Sequence, residues 1–478
     1  MKLYEALADE IESMIAGGLL RAGERLPSVR QQRARRGISP ATVFQAYDLL
    51  QARGAIVSRP RSGYYVAHPV DGTAADGAGC GLPGGADSDG GGDGDVRAAA
   101  RARPQEPETS RPGSASTTVD VSELVFDVLA AGRARDIVPF GSAFPSPLLF
   151  PLQKLARAAA GSLRGIDPWS TVVDLPPGNA ELRRQIALRY QLDGVAVASD
   201  DIVVTNGALE ALNLCLQAVA RPGDMVLIES PSFYAGLQAL ERLELKAIEL
   251  PTLPRDGVDL AALAEVLERH RPKACWLMTS FQNPLGSLMP PEKKRALVAL
   301  LTAHQVPLIE DDVYGELYFG AQRPALAKRY DSDGLVMHCS SFSKCLAPGF
   351  RVGWAAPGRY ARTVERLKLM TSLGAAMPSQ LALAAYLGQG GYDRHLRQLR
   401  AALARQQAAM LAAVAAHFPP GTRVTHPQGG YFLWLVLPDG VDALALHRSA
   451  LAHGIGIAPG PIFSAKRAFR NCLRLNYG

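Results

Sequence analysis

Leu3, Leu7, Ile11 and Met14 recur at helical spacing, which predicts an amphipathic helix ended by Gly17-Gly18. Ser28 is placed to cap a second helix, which Gly37 breaks. Ser39 caps a third, with Pro40 at the first helical position, where its missing N–H costs nothing. That helix, Pro40 to Arg53, turns Val43, Tyr47 and Leu50 inward and Ala41, Thr42 and Gln45 outward. Ala55 to Val57 and Tyr64 to Val66 then read as two short strands around a basic turn. Three helices and a hairpin predict a winged helix-turn-helix over residues 1–67, a fold that brings helix N-terminal residues to base edges.

From residue 68 the apolar pattern disappears into Gly, Asp, Ala, Ser and Pro up to residue 120. Almost nothing there can be buried, so ordering entropy is not offset. The expectation is a disordered tether of about fifty residues with a random-coil reach of about 40 Å. Over 121–478, short β-branched runs alternate with helical patterns. The runs are Ile202 to Thr205, Met225 to Glu229, Ala274 to Thr279, Pro307 to Glu310, Leu335 to His338 and Arg351 to Ala355. This alternation predicts an α/β fold with a mostly parallel central sheet. Strands at Tyr431 to Leu437 and Cys472 to Asn476 belong to a smaller α+β lobe.

Charge changes the picture at one end only. The net charge is +6, yet residues 21–61 hold nine arginines against Glu24 and Asp48. A compact basic module is the electrostatic footprint of a nucleic-acid partner. The six cysteines are scattered without paired spacing, which argues against a disulfide framework or a zinc site and fits a reducing cytoplasm. No apolar run approaches the roughly 20 residues of a membrane helix, so a cytoplasmic protein is expected.

Candidate chemistry gathers where strands end, as ligand sites in such sheets do. The strand ending near His338 leads to Ser340-Ser341-Phe342-Ser343-Lys344, and Arg351 follows seven residues later through Pro348-Gly349. A lysine in a desolvated, cationic pocket becomes a free amine able to attack an aldehyde, and an arginine fork with hydroxyls suits a phosphate. Gly207-Ala208 opens a helix whose N–H groups could hold that phosphate. Phe233 could stack on a ring, Asn283 supplies an amide beside Pro284, and Asp311 and Tyr314 can converge if the chain turns helical. An aspartate facing a pyridinium nitrogen would keep the ring an electron sink.

The N-terminal module resembles the GntR family of bacterial DNA-binding modules. The resemblance rests on Leu26-Pro27-Ser28-Val29-Arg30, Ser39-Pro40-Ala41-Thr42-Val43 and Ser58-Arg59-Pro60-Arg61-Ser62-Gly63-Tyr64-Tyr65-Val66. It implies that Arg30, Thr42, Gln45 and Arg61 contact double-stranded DNA. The second helix departs from the family pattern: Arg30-Gln31-Gln32-Arg33-Ala34-Arg35-Arg36 lacks the usual apolar positions, which predicts weak packing.

From about Phe140 onward the chain resembles fold-type I, class I/II aminotransferases, which use pyridoxal 5'-phosphate. This resemblance implies Lys344 as the Schiff-base lysine and Asp311 as partner of the pyridine nitrogen. Asn283 and Tyr314 would bond the ring hydroxyl, and Phe233 would stack. Gly207, Ala208, Ser341 and Arg351 would line the phosphate site, and Arg474 would grip an amino acid's α-carboxylate. Ala208 lacks the hydroxyl common there, and Val173 stands where many members carry a tyrosine that reaches a neighbouring subunit.

The combination resembles the MocR family of transcriptional regulators. It implies a head-to-tail homodimer that senses an amino acid or amine effector as an external aldimine at Lys344 and responds on operator DNA. The alternative is a working aminotransferase with an appended DNA-binding domain.

Overall fold

The computed structural model describes residues 2–59, 62–68, 104–131, 136–173 and 175–478. The chain divides into two compact units, a small N-terminal one and a large one made of Pro104–Gly478 together with the short segment Ala34–Gly37.

In the small unit, helix α1 (Leu3–Ala16) buries Leu7, Ala8, Ile11 and Met14. Helix α3 (Pro40–Ala52) faces inward with Val43, Ala46, Tyr47 and Leu50, each fully buried. Ser39 caps α3 by accepting from the Thr42 N–H at 3.1 Å, and Pro40 takes the first turn. Helix α2 (Val29–Arg36) forms despite its polar sequence. The Ser28 N–H donates to Gln31 Oε1 at 2.8 Å while the Gln31 N–H donates to Ser28 Oγ, a reciprocal box that closes its first turn. Gln32, at a position where the family places an apolar residue, is itself buried at 1% exposure. Strands β1 (Ile56–Arg59) and β2 (Gly63–Val66) pair antiparallel from Ile56–Val66 to Arg59–Gly63. The tip at 60–61, including the expected contact Arg61, lies outside the described residues.

The large unit starts earlier than the expected boundary at 121. Residues 104–120 run along it as ordered chain. The Val424 N–H donates to the Gln105 carbonyl, and Ser110 bonds Ser230 and Thr252. Strand β3 (Thr117–Thr118) adds antiparallel to a sheet edge. Backbone groups meeting sheet edges stabilise this stretch even though its side chains are polar and Pro-rich. The rest of the expected tether, 69–103, falls outside the described residues.

The sheet comprises β3, β4 (Val203–Thr205), β5 (Met225–Ser230), β6 (Lys246–Leu253), β7 (Gly257–Val258), β8 (Ala274–Leu277), β9 (Leu308–Asp311), β10 (Val336–Ser341) and β11 (Gly353–Ala356). Its order is β3-β6-β5-β8-β9-β10-β11-β4, with β7 on β6. Neighbours from β6 to β10 are parallel, while β11 runs antiparallel between β10 and β4. Helices cover the sheet because parallel strands need crossovers, and both faces are therefore apolar. Leu227, Ile248, Leu277, Leu297, Leu308 and Val336 form one core cluster. A second sheet, β12 (Arg423–Val424), β13 (Phe432–Val436), β14 (Ala458–Pro459) and β15 (Cys472–Asn476), has order β12-β13-β15-β14 and is the smaller lobe.

Candidate cofactor and ligand site

The carboxyl ends of β9 and β10 set the site. These strands pair in parallel, with Cys339 opposite Asp311, so the turn after β10 carries Lys344 to the same end of the sheet as Asp311. Burial drives the chemistry of both. Desolvation, with the nearby positive charges of Arg474 and Arg351, pulls the Lys344 amine down to about 7, and Asp311 opposes that fall. Asp311 moves the other way: burial and then the charge of Asp312 push its carboxyl up to about 7. Its Oδ1 is buried with no hydrogen-bond partner. A buried, partnerless carboxylate oxygen is costly unless a cation or donor is brought to it.

Asp312 faces away into a different network. Burial alone would raise its carboxyl, but Arg323 and His338 hold it below the usual value. Arg323 Nη2 lies 2.7 Å and His338 Nε2 lies 3.3 Å from its Oδ2. The other ring nitrogen of His338 is 2.6 Å from the Tyr190 hydroxyl, which accepts from Trp354 Nε1 at 2.9 Å. This chain of side chains fixes the backbone that presents Asp311.

Asn283 joins the two lobes of the site. Its Nδ2 donates toward the Tyr314 hydroxyl at 3.4 Å, and its Oδ1 accepts from Arg474 Nη1 at 3.0 Å. Arg474, on β15, is fully buried, with its guanidinium carbon 4.2 Å from the Phe432 ring centroid. Its Nη2 donates to the carbonyls of Gly141 at 2.6 Å and Ser142 at 3.0 Å, and its Nε has no partner.

A second cluster sits at the start of the helix Ala208–Val219. Gly207 caps it with φ +83°, a backbone state that favours glycine. A Cβ there would also strike the Arg351 guanidinium. Arg351 donates to the Asn206 carbonyl and the Ser343 hydroxyl, both at 3.4 Å, and Ser341 Oγ accepts from the Ser343 N–H. Helix N–H groups, two serines and an arginine thus converge as an anion cradle. Ala208 is buried in the first helical turn. Phe233 precedes the helix Tyr234–Arg242, its ring centroid 4.7 Å from that of Tyr234. The side chain of Val173 lies outside the described residues.

The structure therefore gathers Lys344, Asp311, Asn283, Tyr314 and Arg474, with Gly207, Ser341 and Arg351 in the cradle. Sequence reasoning missed what covers them. Residues 141–144 fold onto the charged groups: Lys344 Nζ donates to the Ala143 carbonyl at 2.9 Å and lies 3.7 Å from the Phe144 ring centroid. Tyr431 donates to the same carbonyl at 3.0 Å, and Asn476 Nδ2 donates to Ser142 and Phe144 carbonyls. Only the turn-rich composition of the segment hinted at this.

In the small unit, Arg30 and Gln45 are exposed and Thr42 is half-buried, its hydroxyl 2.9 Å from that of Ser39. No helix among the described residues is long and apolar enough to cross a membrane, and the described residues hold no cluster of three or more metal-ligating His, Cys, Asp or Glu.

Residues 154–478 match the family model for aminotransferase class I and II, and residues 3–66 match that for bacterial regulatory proteins of the gntR family. The chain belongs to the MocR family. This MocR protein is a DNA-binding transcriptional regulator with an aminotransferase-like domain. It is 47% identical over 476 residues to YdcR, an uncharacterized HTH-type transcriptional regulator of Escherichia coli (strain K12), spanning 100% of this chain and 95% of that protein. The MocR chain is also similar to two solved structures over its large unit. One is the multiple substrate aminotransferase of Thermococcus profundus, at 28% identity and TM-score 0.69, covering 75% of this chain and 90% of that one. The other is LysN, the alpha-aminoadipate aminotransferase of Thermus thermophilus complexed with N-(5'-phosphopyridoxyl)-L-leucine, at 32% identity and TM-score 0.67, covering 75% and 93%.

Proposed function

We propose that this regulator binds pyridoxal 5'-phosphate through Lys344 and senses an amino acid or amine in the same site. The observation that carries the reading is the buried Asp311 oxygen without a partner near a lysine whose amine burial pulls down to about 7. When bound, pyridoxal phosphate supplies an aldehyde for amines and an electron-withdrawing ring. Asp311 would hold a proton on the ring nitrogen, which answers both its orphaned oxygen and its raised affinity for protons. Asn283 and Tyr314 would hold the ring hydroxyl, and Phe233 would stack. Gly207, Ala208, Ser341 and Arg351 would hold the phosphate.

Arg474 sets what the ligand must carry. Its donors rest on neutral carbonyls of Gly141 and Ser142. A carboxylate offers charged acceptors in matching bidentate geometry, and hydrogen bonds of that kind are about twice as strong as neutral ones. The ligand therefore competes with the 141–144 segment, and Lys344 loses its contacts to Ala143 and Phe144 in the same exchange. Two states with different ligand affinity follow, which is what a regulatory response requires.

A head-to-tail homodimer is part of the reading. Leu148, Trp169, Val172 and Met370 are 92, 74, 64 and 76% exposed, and a second copy that covered them would remove apolar surface from water. A working aminotransferase remains the second reading, favoured by the joint presence of Lys344, Asp311, Asn283, Tyr314 and Arg474. Titrating the purified protein with a panel of amino acids and amines, while following cofactor absorbance and DNA affinity together, tests both. A spectral change accompanied by altered DNA affinity supports sensing. Sustained conversion of an amino donor and keto acid without any change in DNA affinity supports the enzyme.

A further inference from the structure

Helix α3 has an outward face that the expected DNA contacts do not exhaust. Ala41, Phe44, Gln45 and Asp48 are all exposed and stand at i, i+3, i+4 and i+7, on one side of the helix. The opposite side, Val43, Ala46, Tyr47 and Leu50, is fully buried. Phe44 is therefore not a core residue that has slipped its register. It is 47% exposed on a helix whose packing positions are already filled. The hydroxyls of Ser39 and Thr42 engage each other at the cap. The outermost groups of the first two turns are thus a methyl, a phenyl ring and an amide.

Those three groups have a common complement in the major groove. Thymine is the base that presents a methyl group there, and alanine and phenylalanine make apolar contact with it. Adenine presents N7 and the N6 amine, which a glutamine amide matches with two hydrogen bonds. Residues 44 and 45 are neighbours, so a T·A step satisfies both at once. The surroundings favour a polyanion over an apolar protein surface: residues 21–61 carry nine arginines against two acids, and Arg30 is exposed on helix α2. Asp48, one turn further on, would be repelled by phosphates, and it bounds the reading face at its C-terminal side.

We propose that Phe44, with Ala41, contacts a thymine methyl in the major groove while Gln45 reads an adjacent adenine, so that the half-site of this regulator centres on T·A pairs. This rests on the DNA-binding reading and goes beyond it by naming the bases and the residue that selects them.

The test uses the full-length protein and a duplex it enriches from a randomised pool, resynthesised with single thymines replaced by uracil, which lacks only the 5-methyl group. At the thymine under α3, uracil should weaken wild-type binding about fourfold, the worth of one buried methyl group. Phe44→Ala should weaken binding to the thymine duplex by at least that factor, and uracil should then cost it less than it costs wild type, since only Ala41 still meets the methyl group. Its affinity for a random-sequence duplex at low salt should match wild type, since phosphate contacts are untouched. Equal sensitivity to uracil in wild type and Phe44→Ala would overturn the assignment, as would an enriched pool without T·A pairs or no enrichment despite low-salt binding. Failure to bind any duplex at low salt would overturn the DNA-binding reading together with it.

Discussion

Arginine is used in opposite ways at the two ends of this chain. Arg30 stands exposed in a segment where arginines outnumber acids nine to two. Arg474 is fully buried between the rings of Phe432 and Phe463 and directed at two carbonyls and an amide. An exposed guanidinium in water acts through a screened field, so it attracts any phosphate backbone without choosing a sequence. A buried guanidinium keeps its charge in a poorly screened site, where an imperfect partner is costly. The first arrangement gives affinity without selectivity, and the second accepts one shape of anion. Selectivity on DNA has to come from uncharged groups, which is where Phe44 and Gln45 enter.

This contrast can be broken most sharply inside the large unit. Replacing Lys344 with alanine should abolish the visible absorbance of covalently held pyridoxal phosphate, while binding to random-sequence DNA at low salt stays at the wild-type level. An unchanged spectrum sinks the assignment of the site. Replacing Arg474 with alanine leaves Asn283 and the Gly141 and Ser142 carbonyls without their donor. Carboxylate-bearing effectors should then bind about 10- to 100-fold more weakly, from the roughly 1.5–3 kcal/mol attached to a hydrogen bond with a charged group. Amines without a carboxylate should lose far less, and isothermal titration distinguishes the two classes.

Salt separates the ends of the molecule next. DNA affinity should fall steeply between about 50 and 200 mM salt, about 0.9 log units per log unit of salt for each phosphate contact. Replacing Arg30 with alanine should reduce that slope by about one contact. Effector affinity at the buried Arg474 should change little over the same range.

The smallest effect concerns pH. Lys344 and Asp311 both titrate near 7, the lysine shifted down and the aspartate shifted up. Raising pH through that value frees the lysine amine and ionises the aspartate, and both changes favour the cofactor. Loading should therefore improve between about pH 6 and 8, followed by absorbance. Loading that is flat or falls over this range would show that neither group sits in the environment described.

Most of this was legible along the chain. The period of Leu7, Ile11 and Met14, the Ser39-Pro40 start of α3 and the apolar run before Lys344 are local signals; α1 and α3 formed within a residue or two of their expected places, while β10 runs three residues past its expected end at His338 and takes in Ser340 and Ser341. Strand β6 escaped because Lys246 and Glu249 interrupt its apolar run. Glu249 is tolerated there because Ser464 and the Ala465 N–H bond it from the other lobe. The polar helix α2 was expected to pack weakly, and what closes its first turn is the Ser28–Gln31 box rather than an apolar face. The ordered stretch 104–120 was read as tether because its stabilising bonds run from backbone to distant strands.

The sequence by itself determined which residue types stand after each strand, since strand, turn and cap preferences act over a few neighbours. It also determined the basic character of the first module, which is a matter of counting. Only the tertiary structure decided that Asp311 keeps one buried oxygen without a partner beside Lys344, while Asp312, its neighbour, is engaged through its Oδ2 by Arg323 and His338. It also decided that the 141–144 segment covers Arg474 and Lys344, and that Phe44 faces water. Each of these depends on what long-range packing buries or leaves exposed, and burial is what sets the proton affinity of a carboxyl and the reach of a guanidinium.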